Sequence, residues 1–446
     1  MSSLHCSGPS RRSFLQVGSL GIGGLTLSNL LRSRALAGEP NTAPDTSVIL
    51  IWCQGGPSHV DMYDMKPDAP TTHRSPFAQR PTNVSGLDIC EHMPRQAEVA
   101  DKFSIIRSIS HAHAGHPAGS TRFLSGYDPP IPNERVGAYP EFGSVIAKMR
   151  ERVDRGVPNY ISSVKQLSGG GPAYLGKSAT PFVVDGDPND DRFEVKNIAP
   201  PAALADSLDD RVRLLGELDT FRRDLDRTGS MSALDEFNQR ALNLLTSEKV
   251  REAFDISKEP DSVRDLYGRH KWGQRALLAR RLVEAGSSFV TMQIQRSGLG
   301  KSGNWDDHAV NWHIFDELKL RLPVYDRAVA ALVSDIYQRG LDKKVMVIVT
   351  GEFGRTPKIN NSRGVGRGHW SRAMSVLVSG GGLRHGQVIG STNEKAEEPK
   401  DRPLSPNDLL ATVYRHMGID THHAFEDKAG RPIRILSDGE PIAELG

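Results

Sequence analysis

Five short apolar runs fix what this chain can become: "SVILIW" (47–52), "FSIIRSIS" (103–110), "SSFVTMQIQ" (287–295), "KVMVIVT" (344–350) and "AMSVLVS" (373–379). Each has the length of a strand and is too continuous to spare a face for water, as in strands buried on both sides. Helical periodicity fills the spaces between them. It is clear in "EFGSVIAKMRER" (141–152), in the stretch ending "RRLVEAG" (280–286), and in "LPVYDRAVAALVSDIYQRG" (322–340), with apolar Val324, Ala328, Ala331, Leu332 and Ile336. "PNDLLATVYRHMGID" (406–420) places Pro406 at a first helical turn and Gly418 at a stop. Strands alternating with helices predict an α/β three-layer sandwich around a mostly parallel central sheet. The region of about 200–272, "SALDEFNQRALNLLTSEKVREAFD" within it, is charged, helical and strand-poor, and reads as an insertion on that core.

With 37% hydrophobic and 25% charged residues, the 446-residue chain is able to bury a large core, and residues 38–446 read as one α/β domain. The N-terminus reads as an export signal instead of as structure. "SRRSFLQVGSLGIGGLTLSNLL" pairs Arg11 with Arg12 ahead of Phe14 and Leu15, in the order of a twin-arginine signal, with Gln16 where lysine is commoner. "ALA" (35–37) then supplies the small residues of a cleavage site, so that the mature chain is expected to begin at Gly38. Export of a folded chain through the twin-arginine machinery into the periplasm, with a cofactor inserted beforehand, is the expectation. Removing the signal leaves 52 basic against 54 acidic side chains, with no basic block interleaved with aromatics, so nucleic acid is not an expected partner. No later stretch reaches the roughly 18 apolar residues of a membrane span. Cys6 leaves with the signal, and Cys53 and Cys90 are too few for a thiolate zinc site; whether they form a disulfide stays open.

The apolar runs end in chemistry. In parallel α/β sheets ligands bind beyond the carboxyl ends of the strands. The first run leads into "CQGGPSHVDMYDMKPD", with Asp61 and Asp64; the second into His111, His113 and His116; the third into "NWDDH", with Asp306 and His308; the fourth into Glu352. His369 precedes the fifth. Nitrogen and carboxylate ligands without thiolates suit Zn, Mn or Fe, and Ca or Mg if carboxylates dominate. Each residue also has a plainer role. Asp61 and Asp64 suit helix caps or Asx turns, the three loop histidines suit polar surface, and Glu352 suits an ion pair with Arg355. Asp307 reads as a supporting or helix-start acid and His313 as a packed helix histidine.

"VILIWCQGGPSHVDMYDMKPDAP", "GHPAGSTRFLSGY", "WDDH", "GEFGRTPKIN", "GRGHW" and "RPLSPNDLLATVYRHMGID" together resemble the hallmark stretches of a large uncharacterised family of exported bacterial proteins. That family is catalogued as domain of unknown function fifteen-oh-one and is similar to the alkaline phosphatase and sulfatase superfamily. The resemblance implies the superfamily's large α/β sandwich with metal sites at strand ends. It places Asp306 and His308 at the family's acid and histidine, Glu352 and Phe353 where the superfamily has Asp-His, and His369 at a further ligand. It also puts His116 where a cysteine or serine nucleophile would stand, and Phe353 where a ligand is lost.

These readings combine into an expected exported metal-dependent hydrolase of phosphate or sulfate esters, acting on an anionic small-molecule or glycan ester. Asp306, His308, His116, Glu352 and His369 would hold one or two divalent ions (Zn, Mn or Ca), with Asp61 or Asp64 completing the site. Water activated by the metal, its pKa lowered towards about 7, would replace the missing nucleophile. Arg355 or Arg367 would neutralise the anionic oxygens of the substrate. The alternative is a non-catalytic, metal-stabilised relative that binds glycans or partner proteins.

Overall fold

The computed structural model describes residues 45–131, 133–151, 156–195, 198, 247–308, 312–361 and 364–446. The expected signal (1–37) and most of the expected insertion (200–246 of it) lie outside these residues. All five apolar runs are strands. In chain order the central sheet comprises β1 (Ser47–Trp52), β2 (Phe103–Ile109), β3 (Tyr160–Ser163), β4 (Phe182–Val184), β5 (Phe289–Gln293), β6 (Val345–Thr350), β7 (Met374–Gly380) and β8 (Gln387–Ile389). Their spatial order is β8-β2-β7-β6-β1-β5-β3-β4. Every pairing is parallel except those of β7, which runs against both β6 and β2. The three strands without an apolar run, β3, β4 and β8, are short and lie towards the sheet edges, where fewer neighbours demand continuous burial.

β1 shows why its sequence is apolar throughout. Val48, Leu50 and Trp52 enter one core while Ile49 and Ile51 enter the other, and none of the five is exposed. Helices cover both faces. On the Ile49 face lie α4 (Lys271–Glu284) and α5 (Ile314–Gln338), through Leu277, Leu322 and Leu332. On the Leu50 face lie α2 (His116–Ser125), α3 (Phe142–Met149) and α6 (Pro406–His416), through Phe123, Val145 and Leu410. Each such leucine contributes roughly 1.5–3 kcal/mol by leaving water. α5 begins at Ile314, well before its clearest periodicity, and carries Pro323 in its interior. α6 starts as its sequence predicts, with Pro406 in the first turn and Ser405 and Asp408 capping each other's backbone. The described end of the expected insertion contains helices Glu248–Phe254 and Asp261–Tyr267, both packed on α4. Among the described residues no helix is long and apolar enough to cross a membrane.

Because β7 is antiparallel, its first residue lies at the same sheet edge as the last residues of β1, β2, β5 and β6. The chain reaches β7 from β6 through a hairpin-like excursion whose two ends pair antiparallel, Gly354–Arg355 with His369–Trp370. One buried ion pair ties this excursion down. The Arg367 guanidinium donates from Nε to Asp61 Oδ2 at 2.7 Å and from Nη2 to Oδ1 at 3.0 Å, and both side chains are wholly buried. It also donates to the carbonyls of Thr356 at 3.1 Å, His73 at 3.1 Å and Pro357. Asp61 lies in the short helix α1 (His59–Met62) and accepts a further hydrogen bond from Ser58 Oγ at 2.6 Å. Arg367→Met leaves the buried Asp61 charge without a cationic partner, and is expected to lower the unfolding free energy by about 3–5 kcal/mol. Asp61→Asn combined with Arg367→Met should cost clearly less, and urea unfolding of the three chains separates the two outcomes.

A second buried acid makes stability depend on pH. Glu141 precedes α3, is 1% exposed, and accepts a hydrogen bond from the Tyr160 hydroxyl at 3.0 Å. Burial pushes its carboxyl up from 4.5 to about 7, against the opposing hydrogen bond from Tyr160. With the folded value above the unfolded one, the neutral carboxyl's contribution is complete below the ordinary value and is lost as pH rises through the folded one. Unfolding free energy should therefore fall across that window by up to about 1.4 kcal/mol per pH unit from this group. Glu141→Gln should flatten this part of the profile, as measured by urea unfolding at about pH 5 and about pH 7.5.

Candidate metal centre

At the shared sheet edge the turn after β1 forms the floor of a cluster. Gly55 adopts φ +111°, and a Cβ there would lie 2.4 Å from the backbone nitrogen of Asp306, so only glycine permits the loop after β5 to settle on it. The Trp305 backbone N–H donates to the Gln54 carbonyl at 2.9 Å, and Asn304 Oδ1 accepts from the Asp306 N–H at 2.9 Å. From beneath, Arg355 spreads its guanidinium over the Gly55 carbonyl, the Gly56 carbonyl (2.9 Å), the Arg367 carbonyl (3.3 Å) and Asp306 Oδ1 (2.7 Å).

Four side chains from three loops meet above this floor. His116, the first residue of α2, has Nε2 3.0 Å from Asp306 Oδ2. His308 Nε2 lies 2.7 Å from Asp306 Oδ1, and His369 Nε2 lies 2.9 Å from the same oxygen. The two imidazole Nε2 atoms of His308 and His369 are themselves 2.9 Å apart. His116, Asp306 and His369 offer ligand atoms that all lie within 4.8 Å of one another.

The outer nitrogens are already committed. His369 Nδ1 donates to the Ala114 carbonyl at 2.8 Å, and His116 Nδ1 donates to Glu352 Oε1 at 2.6 Å. In neutral rings this leaves the Nε2 lone pairs of both pointing at the Asp306 carboxylate, and that of His369 facing His308 Nε2 as well, an arrangement that repels unless a cation lies between them. Protons are one such cation. Burial disfavours the His116 imidazolium, but hydrogen bonds to Asp306 and Glu352 outweigh it and lift its pKa to about 9. Burial likewise opposes the Asp306 carboxylate, yet the hydrogen bonds from His116, His308 and His369 and the charge of Arg355 hold it ionised far below the usual range. A divalent metal is the other cation. Three imidazole nitrogens and one carboxylate form a donor set of the zinc type, with hydrogen bonds from behind holding His116, His369 and Asp306.

Glu352 stands one step behind. Its Oε1 accepts from His116 Nδ1, from the Gly55 N–H at 2.9 Å and from Gln54 Nε2 at 3.4 Å, while Oε2 is buried with no hydrogen-bond partner among the described residues. The carboxylate thus orients His116, and it meets His369 through that ring. His111 fixes Glu352 in turn: its Nε2 donates to the Glu352 carbonyl at 2.8 Å and its Nδ1 accepts from the His113 N–H at 3.2 Å. Burial lowers the His111 pKa to about 4, keeping that ring neutral. His113 turns outward to Asp128 at 2.9 Å.

The remaining sequence candidates stand apart from this cluster. Asp61 belongs to Arg367, and Asp64 pairs with Lys66 at 3.1 Å and accepts from the Thr392 hydroxyl. Asp307 is buried against Arg321 and Ser302. Arg355 and Arg367, expected to neutralise a substrate anion, both have wholly buried guanidinium groups that donate to protein acceptors. Cys53 and Cys90 are buried free thiols. The supporting groups absent from the sequence reading are Gln54, Gly55, Asn304 and the Ala114 carbonyl. Only the "QGG" directly after a buried strand offered a signal for any of them.

Among solved structures the chain is similar to the phosphonate monoester hydrolase SpPMH from Silicibacter pomeroyi, at 11% identity, 89% coverage of this chain, 75% of that chain and a TM-score of 0.39. It is similar also to the alkaline phosphatase from the Antarctic bacterium TAB5, at 11% identity, 84% and 99% coverage and a TM-score of 0.37. A third is the lipoteichoic acid synthase LtaP from Listeria monocytogenes, at 9% identity, 90% and 78% coverage and a TM-score of 0.37. Likenesses this distant assign no residue a role. No curated protein matches the chain. Residues 45–445 match one family across almost the whole described chain, and the protein belongs to it: the family described as protein of unknown function (DUF1501).

Proposed function

We propose that the protein is an exported metal-dependent hydrolase of phosphate or sulfate esters. The observation that carries the reading is the convergence of His116, His308, His369 and Asp306 at the edge where four parallel strands end. Their side chains remain 24–35% exposed, so the cluster is open to a ligand from solvent, unlike a closed structural site. These four residues would hold the ion, and the imidazole-rich set favours Zn or Mn over Ca. Bound there, a divalent ion would act as a Lewis acid and lower the pKa of water towards about 7. The chain's own groups prepare that chemistry. Arg355 keeps Asp306 ionised, Glu352 and the Ala114 carbonyl fix the ring orientations of His116 and His369, and the Gly55–Gly56 turn lets the two loops close without side-chain bulk.

One observation favours the alternative of a metal-stabilised binding protein. Among the described residues no serine, threonine or cysteine side chain hydrogen-bonds any member of the cluster, and the thiol of Cys53 is pushed far up by burial and then by Glu352. Metal analysis and ester turnover decide between the readings. Mature chain beginning at Gly38 and purified from the periplasm is expected to hold a divalent metal and to hydrolyse a sulfate or phosphate ester. His308→Ala and His369→Ala should lose the metal, and Glu352→Ala should weaken its retention by about 10–100-fold while the fold survives. Wild-type chain that stays metal-free after supplementation with zinc or manganese would sink the hydrolase reading.

A further inference from the structure

We infer that the centre takes a single divalent ion, with the Arg355 guanidinium serving as the fixed second positive charge; the inference rests on the metal-centre reading above. Two-metal hydrolases hold their ions about 3.5–4 Å apart, commonly on a shared carboxylate. Asp306 is the only acid in this cluster able to be shared, and its contacts are already divided. Oδ2 faces His116, and Oδ1 faces His308, His369 and the Arg355 guanidinium at 2.7 Å. Arg355 is locked in place by the carbonyls of Gly55, Gly56 and Arg367, so its charge does not swing away to admit an ion. At a few ångströms a second dication would meet that charge in a partly desolvated site, where repulsion is strong.

The space and the ligands for a second ion are also taken. Phe353 is fully buried, with ring centroids 4.6 Å from His369 and 5.2 Å from His116, and a Cβ on Gly56 or Gly119 would strike its ring. Asp61, Asp64 and Asp307 are bound to Arg367, Lys66 and Arg321. No second group of three metal-type ligands converges among the described residues. Glu352 Oε2 makes no hydrogen bond among the described residues, but Glu352 belongs to no converging group of three metal-type ligands there, and its Oε1 already accepts from His116, Gly55 and Gln54.

The test counts ions without reading activity. Full-length chain is dialysed against excess Zn²⁺ and its metal-to-protein ratio measured, and a Mn²⁺-loaded sample is examined by electron paramagnetic resonance. The expected result is a single tightly held equivalent and the spectrum of an isolated Mn²⁺ ion. Two equivalents with an exchange-coupled spectrum would overturn the single-ion centre while leaving ester hydrolysis, measured separately, intact. One equivalent without hydrolysis of any ester would support this inference and sink the hydrolase reading. No retained metal overturns both.

Discussion

The Arg355 guanidinium is the group on which the candidate site depends. It draws together the turn after β1, the loop after β5 and the segment before β7, three pieces far apart in sequence, by donating to Gly55, Gly56, Asp306 and Arg367. An always-charged planar donor with several N–H groups suits this task better than any other side chain. Its acidic partner Asp306 is also the hub of the histidine cluster, so the interaction that assembles the loops adds to the histidine hydrogen bonds that keep the central ligand ionised.

Around that hub the acids fall into two classes. Asp306 is surrounded by rings with one nitrogen to spare and stays partly open to solvent. Asp61 and Asp307 face arginines and are closed off. The closed pairs contribute little net stability, because desolvation offsets their attraction, but breaking one strands a buried charge. They fix the loops in register, and the open carboxylate is free for chemistry. Glu352 lies between the classes: wholly buried, yet coupled to the cluster through His116.

Much of this was legible in the sequence because hydrophobic burial writes itself into composition. A strand buried on both faces is apolar at most positions, and each of the five apolar runs is such a strand, with small or hydrogen-bonded polar residues such as Ser104, Gln293 and Ser379 among the buried ones. The edge strand Phe182–Val184 carries no comparable signal, with Val183 exposed. Strand direction was invisible too, since "AMSVLVS" reads the same whether β7 runs parallel or antiparallel. The residue types of the site were visible in the loops, but not their partners. Asp61 and Asp306 look alike until the fold brings Arg367 to one and three imidazoles to the other. Ala114 and Gln54 act in part through backbone carbonyls, to which side-chain identity gives no clue.

The antiparallel sense of β7 has a further consequence. The segment 356–368 leaves and returns at one edge, and the pairing of Arg355 with His369 fixes both of its ends. Inside it Arg367 is held by Asp61, and Asn360 bridges to Gly366, so the segment is pinned from its base as far as that bridge. The entropy of closing such a loop grows only slowly with length. A change of length between Asn360 and Gly366 therefore costs little closure entropy, while Arg355, Arg367 and His369 stay in place.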